Sequence, residues 1–222
     1  MDLLGLKEQH VRTTLGISKQ GFARILTFVD FANVNHWFGR DDKDEDGAPL
    51  PVGVHLNIDL RKTAEFFSLF AQDTRFYYGH DAANPRSMAF TVAAKHAFGK
   101  NRVFTKPIQK IRHYLVAAEV ATNTRAVTTD AEGDYILIPK CNFDVEISVD
   151  AIRLSDTYDT ICLLSSDADF ASLLRYLKGK GKKTILVKGG RISGALGATA
   201  DLVISAQDIK KHITVKKQKP GF

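Results

Sequence analysis

Cysteine and long apolar runs are both scarce in this chain, and each scarcity removes a class of protein. The two cysteines, Cys141 and Cys162, have no CxxC spacing and no neighbouring histidine pair. That excludes a disulfide-stapled scaffold or a zinc finger and predicts two free thiols. No apolar run approaches the roughly 20 residues a membrane-spanning helix needs. The first residues, MDLLGLKEQHVRTTLG, place an acid at position 2 and lack an apolar stretch followed by a cleavage site. They make a poor signal peptide, so the expectation is a cytoplasmic chain with no membrane association. Also missing are the GxxxxGK[ST] order of a phosphate-binding loop and a nucleophile motif among the seven histidines. The five acids within residues 41–46 lack the ligand order of a calcium loop and read as a solvated loop.

What is present suits one α/β domain. The chain has 222 residues, 44% hydrophobic and 25% charged, enough to bury a sizeable core. Its net charge of +6 is unevenly spread: from Arg175 to Lys219 twelve basic residues face only Asp201 and Asp208. Such a surplus attracts phosphate backbones, unless it is merely a solvated helix face and a frayed tail.

Residues 1–21 read as an N-terminal helical appendage, 22–209 as the domain, and 210–222 as a basic C-terminal tail. ILTFV (25–29), TICLL (160–164) and KTILVK (183–188) are continuous apolar runs, the pattern of strands buried on both faces. RFYYG (75–79), VFTKPI (103–108) and LVISA (202–206) predict further strands, and residues 125–139 a hairpin bracketing Ala131–Asp134. Helical spacing covers 56–70, 86–98 closed by Gly99, 142–154 with Asn142 as N-cap, and Asp169 to about Lys178. A short helix follows within 191–200. Strands alternating with helices predict a three-layer α/β fold around a central, mostly parallel sheet of five or six strands.

In such sheets ligands bind beyond the carboxyl ends of the strands. The first strand ends at Asp30, with Asn33 just after it. TICLL ends in Ser165-Ser166-Asp167-Ala168-Asp169. Asp144, near the start of its helix, can reach the same edge. Asp150 lies six positions on, roughly 240° around the helix, and points elsewhere. Clustered carboxylates repel one another unless a cation neutralises them, and Mg²⁺ or Mn²⁺ with oxygen ligands is the natural partner. Helix capping alone explains one of Asp167 and Asp169, not the whole set. Lys188, Arg191 and Ser193, in a glycine-rich turn into a helix, are candidates for contacting an RNA phosphate. His36, Trp37 and Phe38 fit core or lid packing better than base stacking.

At these residues the chain resembles the NYN branch of the PIN-like nuclease superfamily, in the group of LabA-like proteins. The resemblance is carried by FVDFANV (28–34), KCNFDVEISVDAI (140–152), LLSSDADFASLLRYLKGKGKKTILV (163–187) and SGALGATADLVI (193–204), in family order. Ser166 departs from the usual glycine, and Asn142-Phe143 from the usual Gly-Val. The resemblance implies a PIN-like fold, a divalent metal and RNA cleavage. It further implies that Asp30, Asp144 and Asp167 hold the metal, that Asp169 is a further ligand or positioning group, and that Asn33 orients a phosphate or carboxylate. Asp201, in the closing motif, fits a fold-stabilising role better. The expectation is a Mg²⁺- or Mn²⁺-dependent endoribonuclease acting on single-stranded RNA, with a symmetric dimer as the default assembly. One rival is a non-catalytic RNA-binding or regulatory protein on the same fold. The other is a nuclease or phosphoesterase for another substrate; against an aspartyl phosphatase, Asp30 is followed by Phe31 and Ala32, with no Asp-x-Asp.

Overall fold

The computed structural model describes residues 2–116, 119 and 123–218. In chain order they form α1 (Leu3–Leu15), β1 (Ile25–Asp30), the short α2 (Phe31–Val34), β2 (Val54–Ile58), α3 (Leu60–Ser68) and β3 (Ala71–His80). There follow α4 (Pro85–Phe98), β4 (Val103–Pro107), β5 (Gln109–Tyr114), β6 (Thr128–Asp130), β7 (Gly133–Lys140) and α5 (Asp144–Arg153). The last third contributes β8 (Thr160–Leu164), α6 (Ala171–Gly179), β9 (Lys183–Lys188), α7 (Gly194–Gly197), β10 (Leu202–Ser205), α8 (Ala206–Ile213) and β11 (Thr214–Gln218).

Six parallel strands make the central sheet, in the order β10-β9-β8-β1-β3-β4. Burial explains the continuous apolar runs: every residue of β1 and β8 is buried, because helices cover both faces. On one face Val29, Phe76 and Val187 pack with Phe67 of α3, Phe98 of α4 and Ile209 of α8. On the other, Leu26, Phe28, Leu163 and Leu186 pack with Ile147 of α5 and Leu174 and Leu177 of α6. The architecture is therefore three-layer α/β, the one the sequence resemblance implies. Side chains alternate along a strand, so Asp30 follows Leu26 and Phe28 toward the α5–α6 layer.

The strand order also dictates where a ligand fits. From β1 the chain builds outward through β3 and β4, then returns to lay β8, β9 and β10 on the other side. The reversal falls between β1 and β8, and a crevice opens at the carboxyl ends of strands flanking such a switch point.

Several elements differ from the sequence reading. Residues 54–58 form a strand, not the start of a helix; α3 begins only after Asp59, whose side chain accepts a hydrogen bond from the Lys62 amide. Residues 109–114 add a strand to the expected hairpin, giving a separate antiparallel sheet in the order β5-β7-β6. The segment set apart as a basic tail from residue 210 belongs to the fold as far as 218. Its first residues close α8, and β11 pairs antiparallel with β2. The acidic loop supplies the counter-charges: Lys210 pairs with Asp41 at 3.0 Å and Lys216 with Asp44 at 2.8 Å. Residues 219–222 lie outside the described set. Helix α1 is no loose appendage, since Val11 and the following Ile17 enter the first core. Both cysteines are free thiols, as their spacing predicts.

Candidate metal centre

Three carboxylates converge at the switch point. One ligand oxygen each from Asp144, Asp167 and Asp169 lies within 4.8 Å of the others. Asp144 opens α5, and Asp167 and Asp169 sit in the turn between β8 and α6. Asp30 stands behind them at the end of β1, 6% exposed. It is not one of the three mutually adjacent groups, but its carboxyl feels the charges of Asp144 and Asp167.

The local hydrogen bonds show why the acids face one another. Buried Ser165 donates to Asp30 Oδ2 at 3.0 Å, and its Oγ accepts from the Asp167 amide at 3.2 Å. Asp167 Oδ1 accepts from the Asp169 amide at 3.0 Å, which folds the turn so that both carboxylates point outward. Asn33 Oδ1 accepts from the Ser166 amide and from Trp37 Nε1, each at 3.0 Å. Asn33 thus ties α2 to the end of β8 through its oxygen. Ser166 then links β8 to β9: its Oγ donates to the Gly189 carbonyl at 2.8 Å and accepts from the Gly189 amide at 3.0 Å. Trp37 lies flat against Gly189, where a Cβ would collide with the indole. That is a lid-packing role, and it explains why glycine follows Lys188.

Asn142 does not cap α5. Phe143 holds the N-cap position without a side-chain bond, while Asn142 Nδ2 donates to Asp144 Oδ2 at 2.9 Å. The departure from the family's glycine therefore acts directly on a site carboxylate.

Electrostatics register the crowding. Burial, reinforced by the charges of Asp144 and Asp167 and opposed by the Ser165 hydroxyl, pushes the Asp30 carboxyl up to about 6. Asp144 is likewise raised, first by burial and then by the charges of Asp167 and Asp169, with Lys106 opposing. Among the described residues none of these four carboxylates has a Lys, Arg or His ion-pair partner, whereas Asp150 and Asp201 do. An all-carboxylate, uncompensated donor set fits a hard divalent cation.

The remaining expected residues fall on either side of this cluster. Asp150 is held by Arg75 and Arg153, both at 2.7 Å, and by the Tyr77 hydroxyl, which keeps it below the usual carboxylate range despite burial. Asp201 accepts from Thr184 N at 2.8 Å and Thr184 Oγ1 at 3.0 Å, and it pairs with Lys178. Its role is to join β9 to the turn before β10. Asp201→Ala should cost about 1–2 kcal/mol, lowering the thermal midpoint by roughly 2–8 °C and leaving Mn²⁺ affinity unchanged; a shifted Mn²⁺ isotherm would contradict that assignment. Lys188 ends β9 and Arg191 follows three residues on; Lys188 Nζ donates to the Gly190 carbonyl. Ser193 caps α7, its Oγ accepting from the Leu196 amide.

Ser165 and Ser166 carry the scaffolding, a role the sequence reading gives to neither. The available signal was position: polar residues directly after a fully buried strand need partners.

A three-layer α/β fold with carboxylates gathered at its switch point matches the PIN-like nuclease class. Within that class the chain belongs to the NYN domain family, whose sequence model matches residues 24–208. It is similar to the Low amplitude and bright protein LabA of Synechococcus elongatus, at 32% identity over 82 residues. That match covers 36% of this chain and 44% of LabA, so it spans less than half of the relative's length. A crystal structure of a protein of unknown function from Vibrio parahaemolyticus shares the fold, with a TM-score of 0.55 and 18% identity over 89% of this chain and 99% of that one. Among the described residues no helix is long and apolar enough to cross a membrane.

Proposed function

We propose that this NYN domain is a cytoplasmic, Mg²⁺- or Mn²⁺-dependent endoribonuclease that hydrolyses single-stranded RNA. The observation that carries the reading is the convergence of Asp144, Asp167 and Asp169 at the switch point, with Asp30 buried behind them. These carboxylates would hold the cation, which when bound activates water and stabilises charge on the phosphodiester.

The chain's own residues set up everything else. Ser165 fixes the rotamer of Asp30, and Asn142 that of Asp144, so the carboxylate oxygens are preorganised. The Ser166–Gly189 pair of hydrogen bonds and the Trp37 indole hold the ends of β8 and β9 together, keeping the turn rigid. Lys188 and Arg191 stand at the same edge to receive a phosphate. Asn33 contributes by positioning, since its oxygen is engaged within the protein.

The first test is Mn²⁺ titration by calorimetry, followed by cleavage of a single-stranded RNA. Saturable binding that disappears in an Asp144→Asn/Asp167→Asn variant is expected, with cleavage dependent on the metal. RNA binding indifferent to EDTA and to these substitutions would instead mark a non-catalytic binding protein. Faster cleavage of DNA or of small phosphoesters would move the activity to another substrate.

A further inference from the structure

Apart from Lys188 and Arg191, the lysines of the strongly basic last third lie largely away from the site. α6 starts beside the carboxylates and runs back across the sheet, so Lys178, Lys180, Lys182 and Lys183 fall at the opposite edge, where β9 begins. Lys210 and Lys216 sit against the acidic loop, whose five Asp and Glu outnumber them. Beyond Lys188 and Arg191, a substrate strand needs another source of positive charge on the carboxylate side.

The three-stranded sheet of β5, β7 and β6 offers one. It is rooted at the carboxylate edge: the Ile108 amide donates to the carbonyl of His80, which ends β3, at 2.8 Å, and Lys110 Nζ lies 3.5 Å from Asp81, the next residue. At the same end of the ribbon, where Gln109 pairs with Lys140, β7 closes, Cys141 packs against Gly79, and Asp144 opens α5. A strand lying along the ribbon is led to the carboxylates.

One face of the ribbon has a composition suited to such a strand. The register pairs Lys110 with Pro139, Arg112 with Leu137 and Tyr114 with Tyr135, and alternation puts all of them on the same face. β5 is exposed from Gln109 to His113, and Leu137 is exposed beside it. The Arg112 guanidinium lies 4.9 Å over the Tyr135 ring, whose centroid is 5.6 Å from that of Tyr114. Asp130 bonds both Arg112 and the Tyr114 hydroxyl, which fixes this arrangement while leaving Arg112 more than half exposed. Cations beside aromatic planes recognise unpaired bases on a phosphate backbone, where stacking tolerates any sequence.

We propose that this ribbon face is an arm that grips single-stranded RNA and delivers it to the acidic cluster. The proposal rests on the nuclease reading above, and its test separates the two. Full-length protein in EDTA is titrated into a labelled oligouridine and binding is read by fluorescence anisotropy at several salt concentrations. Cleavage of the same RNA is measured separately with Mn²⁺.

Lys110→Ala/Arg112→Ala should weaken binding about tenfold and flatten the log–log salt slope by about 1.4, the value for two lost phosphate contacts to a single strand. Tyr135→Ala should weaken it about tenfold with the slope unchanged, because stacking and not charge is lost. Lys110→Ala alone, at an exposed side chain, guards against a folding defect and should still lower affinity and slope. Lys180→Ala/Lys183→Ala, at the far edge, should bind as the natural protein does. Unchanged affinity in all the ribbon variants of a protein that binds and cuts RNA overturns the arm and leaves the nuclease standing. Ribbon-dependent binding without cleavage supports the arm and removes the nuclease. A natural protein that neither binds nor cuts RNA overturns both, and tighter binding of DNA of matching length overturns the RNA assignment.

Discussion

Asp30→Asn is expected to stabilise the metal-free protein while weakening its hold on metal. Burial lifts this carboxyl from an ordinary value near 3.8 to about 6, so ionising it costs more in the folded state than in the unfolded one. A folded-state value above the unfolded one gives stability that is fully present below about pH 4 and is lost as pH rises through 6. Above pH 6 the ionised Asp30 therefore opposes folding by about 3 kcal/mol, because each tenfold change in proton affinity is worth about 1.4 kcal/mol. The neutral amide removes that penalty while keeping an oxygen for the Ser165 hydroxyl. In EDTA at pH 8 the variant's thermal midpoint should rise by roughly 6–12 °C, and the gain should vanish near pH 4. Adding Mn²⁺ should raise the midpoint of the natural protein more than that of the variant. A variant less stable than the natural protein at pH 8 would mean that Asp30 is a structural anchor and not a strained site residue.

Asp167→Asn should act almost wholly on chemistry. Its Oδ1 accepts the Asp169 amide, a bond that an asparagine oxygen preserves, so the turn after β8 stays folded. What is lost is one negative charge from the group of three that lies within 4.8 Å. Losing about 3–4 kcal/mol of transition-state stabilisation corresponds to a fall in kcat/KM of roughly 10² to 10³. Single-turnover cleavage with saturating Mn²⁺, compared at matched thermal stability, reads this directly. A rate within a few-fold of the natural protein would take Asp167 out of the reactive centre.

The parts of this fold that were legible in the sequence are those where burial and periodicity agree. ILTFVD, TICLL and KTILVK are buried on both faces, so composition alone marks them. β5 escaped notice because QKIRHY is exposed and polar, and β2 because VHLNI runs straight into the capped start of α3. The acids at the strand ends were visible because topology places ligands there. Their spacing was not: the resemblance groups Asp30 with Asp144 and Asp167, and it is Asp144, Asp167 and Asp169 whose oxygens all lie within 4.8 Å of one another. Contacts between residues far apart in sequence were also hidden. The pairing of the acidic loop with Lys210 and Lys216 changes the meaning of the basic surplus, and no local pattern announces it.

The placement of β1 also bears on how the protein is made. One edge of β1 pairs with β3, which begins at Ala71, but its other neighbour, β8, begins only at Thr160. The bond from Ser165 to Asp30 closes a separation of 135 residues. Contacts this distant form late, because loop closure must precede them. A nascent chain thus holds a half-built sheet whose apolar central strand has a bare edge, an aggregation-prone species of the kind chaperones shield. The carboxylate cluster is assembled in the same closing step, so the acidic edge comes into being only when the last third of the domain docks.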